Sequence, residues 1–443
     1  MEEILELINE NKLTKAREKL MEQNPADIAF FLEELDSEKL LIAFRILPKD
    51  LAVDIFSHIS RDQQRHIGES ITDKELSNII DELYLDDTVD FLEELPANIV
   101  KKILQNTEKQ RRDLINQFLN YPENSAGSIM TIEYVDLKKE MTIKKALDHI
   151  RKTGIDKETI DTCYVISGQR KLEGVISIRK LILSNEEDKV EDVMYTNLIY
   201  GYTTDDQEEI ADMFKKYDFT TMPVVDKENR LVGIITIDDI VDIIEQENTE
   251  DFHKMAAMQP SDENYLRSSA LTLAKHRIPW LLILMISATF TGRILRKFEV
   301  TLQSMIILNS FIPMLMDTGG NSGSQSSTLI IRSLALGEVS IKDITKVMIK
   351  EFKVSIIVGI ILAATNFLRI YYIESIDLYV ALTVSMTLIF VVVISKIVGG
   401  ALPMLAKALK LDPAIMAGPL ITTIVDACAL IAYFKIAQLM LGI

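Results

Sequence analysis

The first 129 residues carry apolar side chains at spacings of three and four, which is the period of an amphipathic helix. The pattern recurs in "ADIAFFLEEL", "LLIAFRIL", "LAVDIFSHI" and "VDFLEEL". Pro25, Pro48 and Pro96 each stand where a new segment begins, a position that suits proline at a first helical turn. The likeness of "DIAFFLEEL" to "DTVDFLEEL" indicates stacked helical hairpins. We therefore predict an all-α, superhelical N-terminal domain over residues 1–129.

A second pattern, alternating apolar runs typical of strands, follows and contains an internal repeat. "VISGQRKLEGVISI" (165–178) aligns without gaps on "VVDKENRLVGIITI" (224–237). Each copy reads as a hairpin with a polar turn, with one helix before it and a short helix after it. We predict two βαββα units, over 130–191 and 192–250. They resemble a tandem pair of CBS domains, α/β modules that bind nucleotides or metal ions and bury an apolar sheet face between the repeats.

The third pattern is a series of long apolar runs from Ile278 onward. A helix needs about 20 apolar residues to cross the hydrocarbon core of a bilayer. We predict a linking amphipathic helix over 251–275 and an α-helical transmembrane pore domain over 276–443. Its five predicted spans are 278–295, an interrupted segment 302–334, 354–368, 378–405 and 413–441.

The basic residues that flank these spans predict the orientation of the chain. Ten Lys and Arg residues near span ends fall on the side of the N-terminus, and four fall on the other side. Because an odd number of spans puts the termini on opposite sides, we predict cytoplasmic N-terminal and CBS domains and an external C-terminus. The predicted location is the cell (plasma) membrane.

Charge is divided unevenly between these regions. Residues 1–275 contain 57 of the 66 acidic and 34 of the 48 basic residues, whereas residues 276–443 carry a small positive excess. Such an acidic surface attracts cations and repels nucleic acid, so we predict no nucleic-acid partner. Cys163 and Cys428 are too few and too far apart for a disulfide framework. The five histidines are scattered and no phosphate-binding loop is present, so we predict that the chain is not an enzyme.

Asp426 is the candidate cation ligand in the last span, "PAIMAGPLITTIVDACALIAYF". A carboxylate in hydrocarbon is costly and usually faces a partner or a water-filled path. An ion pair with Lys396, or a protonated carboxyl that is hydrogen-bonded to a neighbouring hydroxyl, is one interpretation. We favour a permeation path, because Thr422 lies on the same helical face and Gly418-Pro419 predicts irregular backbone nearby. Carboxylate, hydroxyl and carbonyl oxygens suit Mg2+ or Ca2+.

The run from Thr318 to Thr328 contains no apolar residue, although apolar segments surround it. A loop outside the membrane is one explanation. A phosphate cradle is the weakest explanation, because the run has neither a Gly-Lys-Ser/Thr ending nor a βα unit nearby. We favour a helix that lines a polar pore, since Gly319-x-x-x-Gly323 permits close helix packing and glycines allow carbonyls to face a lumen.

These motifs together resemble the MgtE family of magnesium channels. "PMLMDTGGNSGSQSSTLIIRSLALGE", "GPLITTIVD", "TEDFHK" and "YPENSAGSIMT" carry the resemblance, in the family's order and along nearly the whole chain. It implies a homodimer in the lipid bilayer with one pore on the two-fold axis, in which two copies of Asp426 hold a hydrated Mg2+. The residues implied to contact its water shell are Gly320, Asn321, Gly323, Gly418 and Thr422.

The resemblance also implies that cytoplasmic Mg2+ closes the pore by screening acidic clusters. Like charges that face each other keep domains apart until a divalent ion neutralises them. The matching acids are, in the helical domain, Asp54, Asp86 and Asp90; in the CBS pair, Asp206, Glu208, Asp218 and Asp239; at the linking helix, Glu247, Glu250 and Asp251; and on the membrane side, Asp412. ATP, which some family members bind, is left open, because Lys180 replaces in the first repeat the acid that Asp239 supplies in the second.

Two positions differ from the family's pattern: Asp317 precedes the glycines, and Ser324 stands where relatives can carry asparagine. We predict gated Mg2+ uptake. A coupled divalent-cation exchanger is one alternative, and a membrane-anchored CBS sensor of metal or nucleotide without transport is another. Asp426 and the polar run argue against the sensor, because an anchor needs neither.

Overall fold

The computed structural model describes residues 1–93, 95–261, 265–266 and 268–442. The chain divides into two units, Met1–Glu245 and Gln246–Ile443, and each is described by itself.

Helices build the first part of the first unit. They are α1 (Glu2–Asn9), α2 (Leu13–Leu20), α3 (Pro25–Glu33), α4 (Ser37–Arg45), α5 (Lys49–His58), α6 (Arg61–Ser70), α7 (Asp73–Ile80), α8 (Leu85–Glu93), α9 (Ala97–Asn106) and α10 (Lys109–Phe118). Asn24 caps α3 ahead of Pro25, and Thr72 with Glu75 forms a capping box on α7. The rings of Phe56 and Phe91 meet edge to face in the core. The helical domain is confirmed, whereas its superhelical form stays a prediction.

Two three-stranded sheets follow, one from each repeat. The first contains β1 (Asp136–Leu137), β2 (Thr162–Ile166) and β3 (Leu172–Ser177); the second contains β4 (Gly201–Tyr202), β5 (Thr221–Val225) and β6 (Leu231–Thr236). In each sheet the first two strands are parallel and the last two antiparallel, with an irregularity at the equivalent position. The predicted repeat is confirmed. The accompanying helices are α11 (Ile143–Thr153), α12 (Ile178–Leu183), α13 (Val190–Val193), α14 (Gln207–Tyr217) and α15 (Ile237–Met255).

The two repeats also pair with each other. The amide of Leu172 donates to the carbonyl of Asn229 at 3.1 Å, and that of Leu231 donates to the carbonyl of Arg170 at 2.9 Å. Tyr134, Tyr164, Ile166, Leu231 and Ile234 form one buried apolar cluster drawn from both repeats. An apolar face is therefore buried between the repeats, as the sequence predicts.

The predicted linking helix over 251–275 differs from the structure. Helix α15 continues from the last CBS strand and ends at Met255. Ala257 then adopts a left-handed conformation (φ 52°), and Pro260 cannot donate a backbone hydrogen bond, so the helix cannot continue. The next helix begins at Ala270, and residues 262–264 and 267 of the predicted segment lie outside the described residues.

Long helices form the second unit. They are α16 (Ala270–Lys297), the short α17 (Glu299–Ser304), α18 (Ile312–Ala335), α19 (Ile344–Leu368), α20 (Leu378–Ala408) and α21 (Gly418–Leu441), with 3-10 turns over Ile306–Phe311 and Pro413–Met416. Within the described residues, three segments are long and apolar enough to span a membrane: Ala270–Lys297, Leu378–Ala408 and Pro413–Leu441. Helices α18 and α19 are long as well, but the former carries the polar run, so five spans stay a prediction.

Candidate functional site

The polar run forms the middle of the continuous helix α18. Small residues on one face are buried, among them Gly319, Gly323 and Ser326. A second face is polar and exposed, and it consists of Asp317, Asn321, Gln325 and Thr328. These four residues, hereafter the polar face of α18, recur at spacings of three and four and therefore share one side of the helix.

The glycines let α18 approach its neighbours closely. A Cβ atom on Gly399 of α20 would overlap the carbonyl oxygen of Gly323. A Cβ on Gly323 would lie 2.7 Å from the Ile421 side chain, and one on Gly320 would lie 2.9 Å from that of Thr422. The structure thus places Gly320 and Gly323 in helix packing against α21. The sequence suggested that these glycines turn backbone carbonyls into a lumen. In the structure they belong to a continuous helix, and the carbonyl of Gly323 lies against Gly399 of α20.

Helix α21 places Thr422 and Asp426 one turn apart, both half-buried. Gly418 and Pro419 are its first two residues, so the predicted irregularity is a helix start after the 3-10 turn and not a break inside a helix. The Thr422 hydroxyl donates to the carbonyl of Pro419 at 2.9 Å. Asp317 lies near enough to Asp426 for the two carboxylates to repel each other.

The alternative ion pair between Lys396 and Asp426 does not form among the described residues. The Lys396 ammonium instead donates to the Ser326 hydroxyl at 3.3 Å, and that hydroxyl donates to Glu351 at 2.6 Å. The negative charge of Asp426 therefore lacks the internal counter-ion that this interpretation required.

In the first unit, the structure brings Asp86 and Asp239 together with two further acids, Asp87 and Glu158. Burial, followed by the charge of Asp239, raises the pKa of Asp86 well above its usual value and that of Asp87 to about 7. Burial and Asp239 also raise the pKa of Glu158 to about 8. Burial is likewise the first cause that raises the pKa of Asp239 to about 6, although the Thr236 hydroxyl donates to this carboxylate.

Asp90 belongs to the edge of this group, which we call the CBS-side acid cluster: Asp86, Asp87, Asp90, Glu158 and Asp239. Its charge acts on Asp87 and Asp239, and its carboxylate lies 3.4 Å from Arg61. Sequence reasoning missed Asp87 and Glu158. Asp87 adjoins Asp86 and could have been added, whereas Glu158 is distant in sequence from every other member.

The other predicted acids of the first unit lie at exposed positions. Asp54 is exposed on α5. Asp206 caps the start of α14 by accepting a bond from the Glu208 amide at 2.9 Å, and Asp218 ends the same helix in a left-handed conformation. These contacts explain the presence of Asp206 and Asp218 as helix ends.

In the second unit, Lys254 joins two of the predicted acids. Its ammonium lies 2.6 Å from Asp412 and also contacts Glu250. Burial, followed by the charge of Asp412, raises the pKa of the neighbouring Asp251 to about 6. Sequence reasoning missed Lys254, which lies one turn after Glu250. Throughout the described residues, no three histidine, cysteine or acidic side chains are arranged as a ready-made metal site.

Comparisons with known proteins match three parts of the chain. A model described as MgtE, divalent cation transporter, matches residues 312–436, the MgtE intracellular N domain matches 23–124, and CBS domains match 126–185 and 190–246. The magnesium transporter MgtE of Thermus thermophilus is 35% identical over 98% of this chain and 97% of its own length. The chain belongs to the MgtE family.

Further relatives agree with this membership. The magnesium transporter MgtE of Bacillus subtilis is 32% identical over 98% of the chain and 96% of its own length. A solved cytosolic domain of the Mg2+ channel MgtE in complex with ATP is 34% identical, with a TM-score of 0.52 over 54% of this chain and 98% of that one. These relatives are named as transporters or channels, and transport is not enzymatic, in agreement with the prediction for this chain. The MgtE resemblance drawn from the motifs is confirmed.

Proposed function

We propose that this MgtE-family chain carries Mg2+ into the cell through a path bordered by α18 and α21. The observation that carries the proposal is the polar face of α18, whose helix packs against α21 next to Asp426, where Gly319 and Gly320 meet Val425 and Thr422. A polar helix face and a carboxylate are costly in hydrocarbon unless they face water. Mg2+ gives up its water reluctantly, so carboxylates and amide oxygens are suited to hold the ion through its water shell.

We also propose that the chain forms a homodimer, and the polar face of α18 supports this. A single chain leaves the polar face of α18 exposed, and a second copy related by a two-fold axis would enclose it in a lumen. Two copies of Asp426 and Asp317 would then face the ion. We also propose the five-span topology with cytoplasmic N-terminal and CBS domains, which the uneven distribution of basic residues supports.

Recording from the protein reconstituted in a bilayer, with Mg2+ stepped on the cytoplasmic face, tests this function. We expect an inward Mg2+ current that falls as cytoplasmic Mg2+ rises. A flux that requires an opposing gradient of H+ or Na+ would favour the exchanger instead. Protein that inserts correctly and carries no Mg2+ in either assay would contradict transport.

The proposed closing signal is Mg2+ at the acidic clusters. In the CBS-side acid cluster, burial and then the charges of neighbouring acids raise the pKa values of the carboxylates, so each ionised group is destabilised by the others. A divalent cation relieves this repulsion more effectively than protons at neutral pH. Because the described acids are not preassembled as a metal site, we propose that Mg2+ binding draws them into place.

The stability of residues 1–245 is expected to fall as pH rises from 6 to 8. The pKa values of Asp239, Asp87 and Glu158 are raised to about 6, 7 and 8, so the folded state binds more protons than the unfolded chain across this range. We expect a decrease of about 5 °C in the melting temperature. Millimolar Mg2+ should reverse most of it at pH 8 and have little effect at pH 6.

Thermal unfolding followed by circular dichroism measures this effect. The matched variant D87N/E158Q should show a flatter pH dependence and a smaller response to Mg2+. Equal melting temperatures at pH 6 and 8 in the unsubstituted protein would show that these carboxylates do not repel each other in solution.

Replacing Lys254 with methionine is expected to lower the cytoplasmic Mg2+ concentration that closes the pore about threefold to tenfold. The Lys254 ammonium already neutralises Glu250 and Asp412, so Mg2+ must displace it before it can bind them. Lys254→Arg keeps the charge and should leave the concentration near that of the unsubstituted protein. Patch recording measures the shift, and a higher concentration in Lys254→Met would contradict competition.

ATP is not included in the proposal. Asp239, the acid that the resemblance connects with ATP binding, accepts a hydrogen bond from Thr236 and belongs to the CBS-side acid cluster. Lys180 occupies the equivalent place in the first repeat.

A further inference from the structure

We infer that Glu351, Ser326 and Lys396 form a buried polar bridge that fixes the position of α18. The bridge thereby also fixes the polar face of α18, which borders the proposed path. Ser326 belongs to α18, Glu351 to α19 and Lys396 to α20. The inference rests on the proposed function, since the polar face of α18 matters only if an ion passes it. The bridge is separate from the polar face of α18 and from Asp426, and no sequence motif indicates it.

The three side chains are deeply buried. Ser326, Lys396 and Glu351 are 2%, 5% and 6% exposed. The Ser326 hydroxyl donates to Glu351 at 2.6 Å and accepts from the Lys396 ammonium at 3.3 Å, so a single hydroxyl connects a carboxylate with an ammonium. The bridge therefore ties three helices together through one small side chain on α18.

An acid and a base inside a membrane unit are costly, and apolar residues of similar volume would often stabilise the fold as well. A polar bridge differs from apolar packing because its hydrogen bonds are directional and form in only one relative position of the helices. The best-attested use of buried polar groups is to select one register between packed elements.

Helices α18 and α20 come closest at Gly323 and Gly399, where backbone meets backbone. Apolar side chains pack the two helices together on either side of this point. At the crossing itself the glycines supply no side chains that interlock, so the hydrogen bonds of the bridge add a directional restraint there. Gly400 adds to the arrangement, since a Cβ there would lie 3.3 Å from the Glu351 side chain, which lies beside it.

Ser326 is placed where it can control the polar face. At 100° per residue, Ser326 points away from Asp317, Asn321 and Thr328, and it lies little more than one turn after Asn321. Rotation or translation of α18 about this anchor would displace the whole polar face at once. A displacement of about 1 Å at a binding group can change rates by a hundredfold.

Mg2+ flux into vesicles that contain the full-length protein, measured against Mg2+ concentration, tests the bridge. We expect Ser326→Ala to raise the Mg2+ concentration for half-maximal flux at least tenfold. The melting temperature of the purified protein should decrease only slightly. Ser326→Thr retains the hydroxyl and should restore the value. Ser322→Ala is the matched control, because Ser322 is buried on the same helix one turn earlier and belongs to no part of the bridge.

The charges supply a second test that remains usable if Ser326→Ala is not recovered. Lys396→Met alone should impair flux, and E351Q/K396M should regain the flux maximum while keeping a raised half-saturating concentration, because the neutral pair removes the unpaired charge but not the loss of anchoring. Ser326→Ala or E351Q/K396M with a half-saturating concentration equal to that of Ser322→Ala would overturn the inference. Absence of Mg2+ flux in the unsubstituted protein would instead overturn the proposed function.

Discussion

Replacing Asp426 with alanine is expected to abolish Mg2+ uptake, with flux reduced on the order of a hundredfold to a thousandfold. Asp426 lies half-buried on α21 beside the polar face of α18, and Lys396, the counter-ion considered in the sequence analysis, donates to Ser326 instead. A dication that enters this region therefore depends on carboxylates for compensation. Two unit charges about 4 Å apart interact by about 4 kcal/mol at an effective dielectric constant of 20, and the second charge of Mg2+ increases this, so losing the carboxylate is sufficient for the predicted decrease.

Growth of Mg2+-starved cells that lack their own uptake systems measures the effect, together with flux into vesicles. Asp426→Glu keeps the charge and should retain part of the activity, whereas Asp426→Asn should behave like alanine. Asp317→Asn should have a smaller effect, because Asp317 is more exposed than Asp426 and water therefore screens its charge more strongly. Full growth rescue by Asp426→Ala would remove this residue from the ion path.

The sequence was sufficient for features that depend on local pattern. The gapless repeat predicted two equivalent sheets because alternating strands and a polar turn recur in the same order, and the structure gives both sheets the same pairing and the same irregularity. The Gly319-x-x-x-Gly323 spacing predicted close helix packing, which is observed. The linking helix predicted over 251–275 differs from the structure because the helix that enters this segment ends at Met255, before the left-handed Ala257.

Features that depend on tertiary contact were beyond sequence reasoning. Glu158 joins Asp86 and Asp239 only because the chain folds back on itself, and its sequence neighbours are those of an ordinary surface acid. The sequence identified Lys396 as a candidate ion-pair partner of Asp426, but it could not show that Ser326 and Glu351 are its neighbours. The polar run has the composition of a loop, yet the helix favoured for it is confirmed. Which of its residues pack against α20 and α21 could not be derived from the sequence.

Gly399→Ala is the second substitution expected to abolish transport, although no ion need contact this residue. The added Cβ would overlap the carbonyl oxygen of Gly323, so α18 and α20 would have to separate by about 1 Å at their crossing. Because the clash is with backbone, no side-chain rotation can relieve it. Overpacking of this kind costs about 1–3 kcal/mol, and the displacement would also move the polar face and break the bridge through Ser326.

Gly359→Ala provides the matched control. A Cβ on Gly359 of α19 would meet the Cα of Ile389 on α20 at 3.4 Å, an ordinary contact. Both changes add one methyl group to a helix that packs against a neighbour, so helix propensity and hydrophobicity change alike. We therefore expect Gly359→Ala to transport Mg2+ normally and Gly399→Ala to lose at least about 99% of its flux while inserting into the membrane. Equal flux in the two variants would mean that close approach at the Gly323–Gly399 crossing is not what shapes the path, and that the polar face of α18 tolerates displacement.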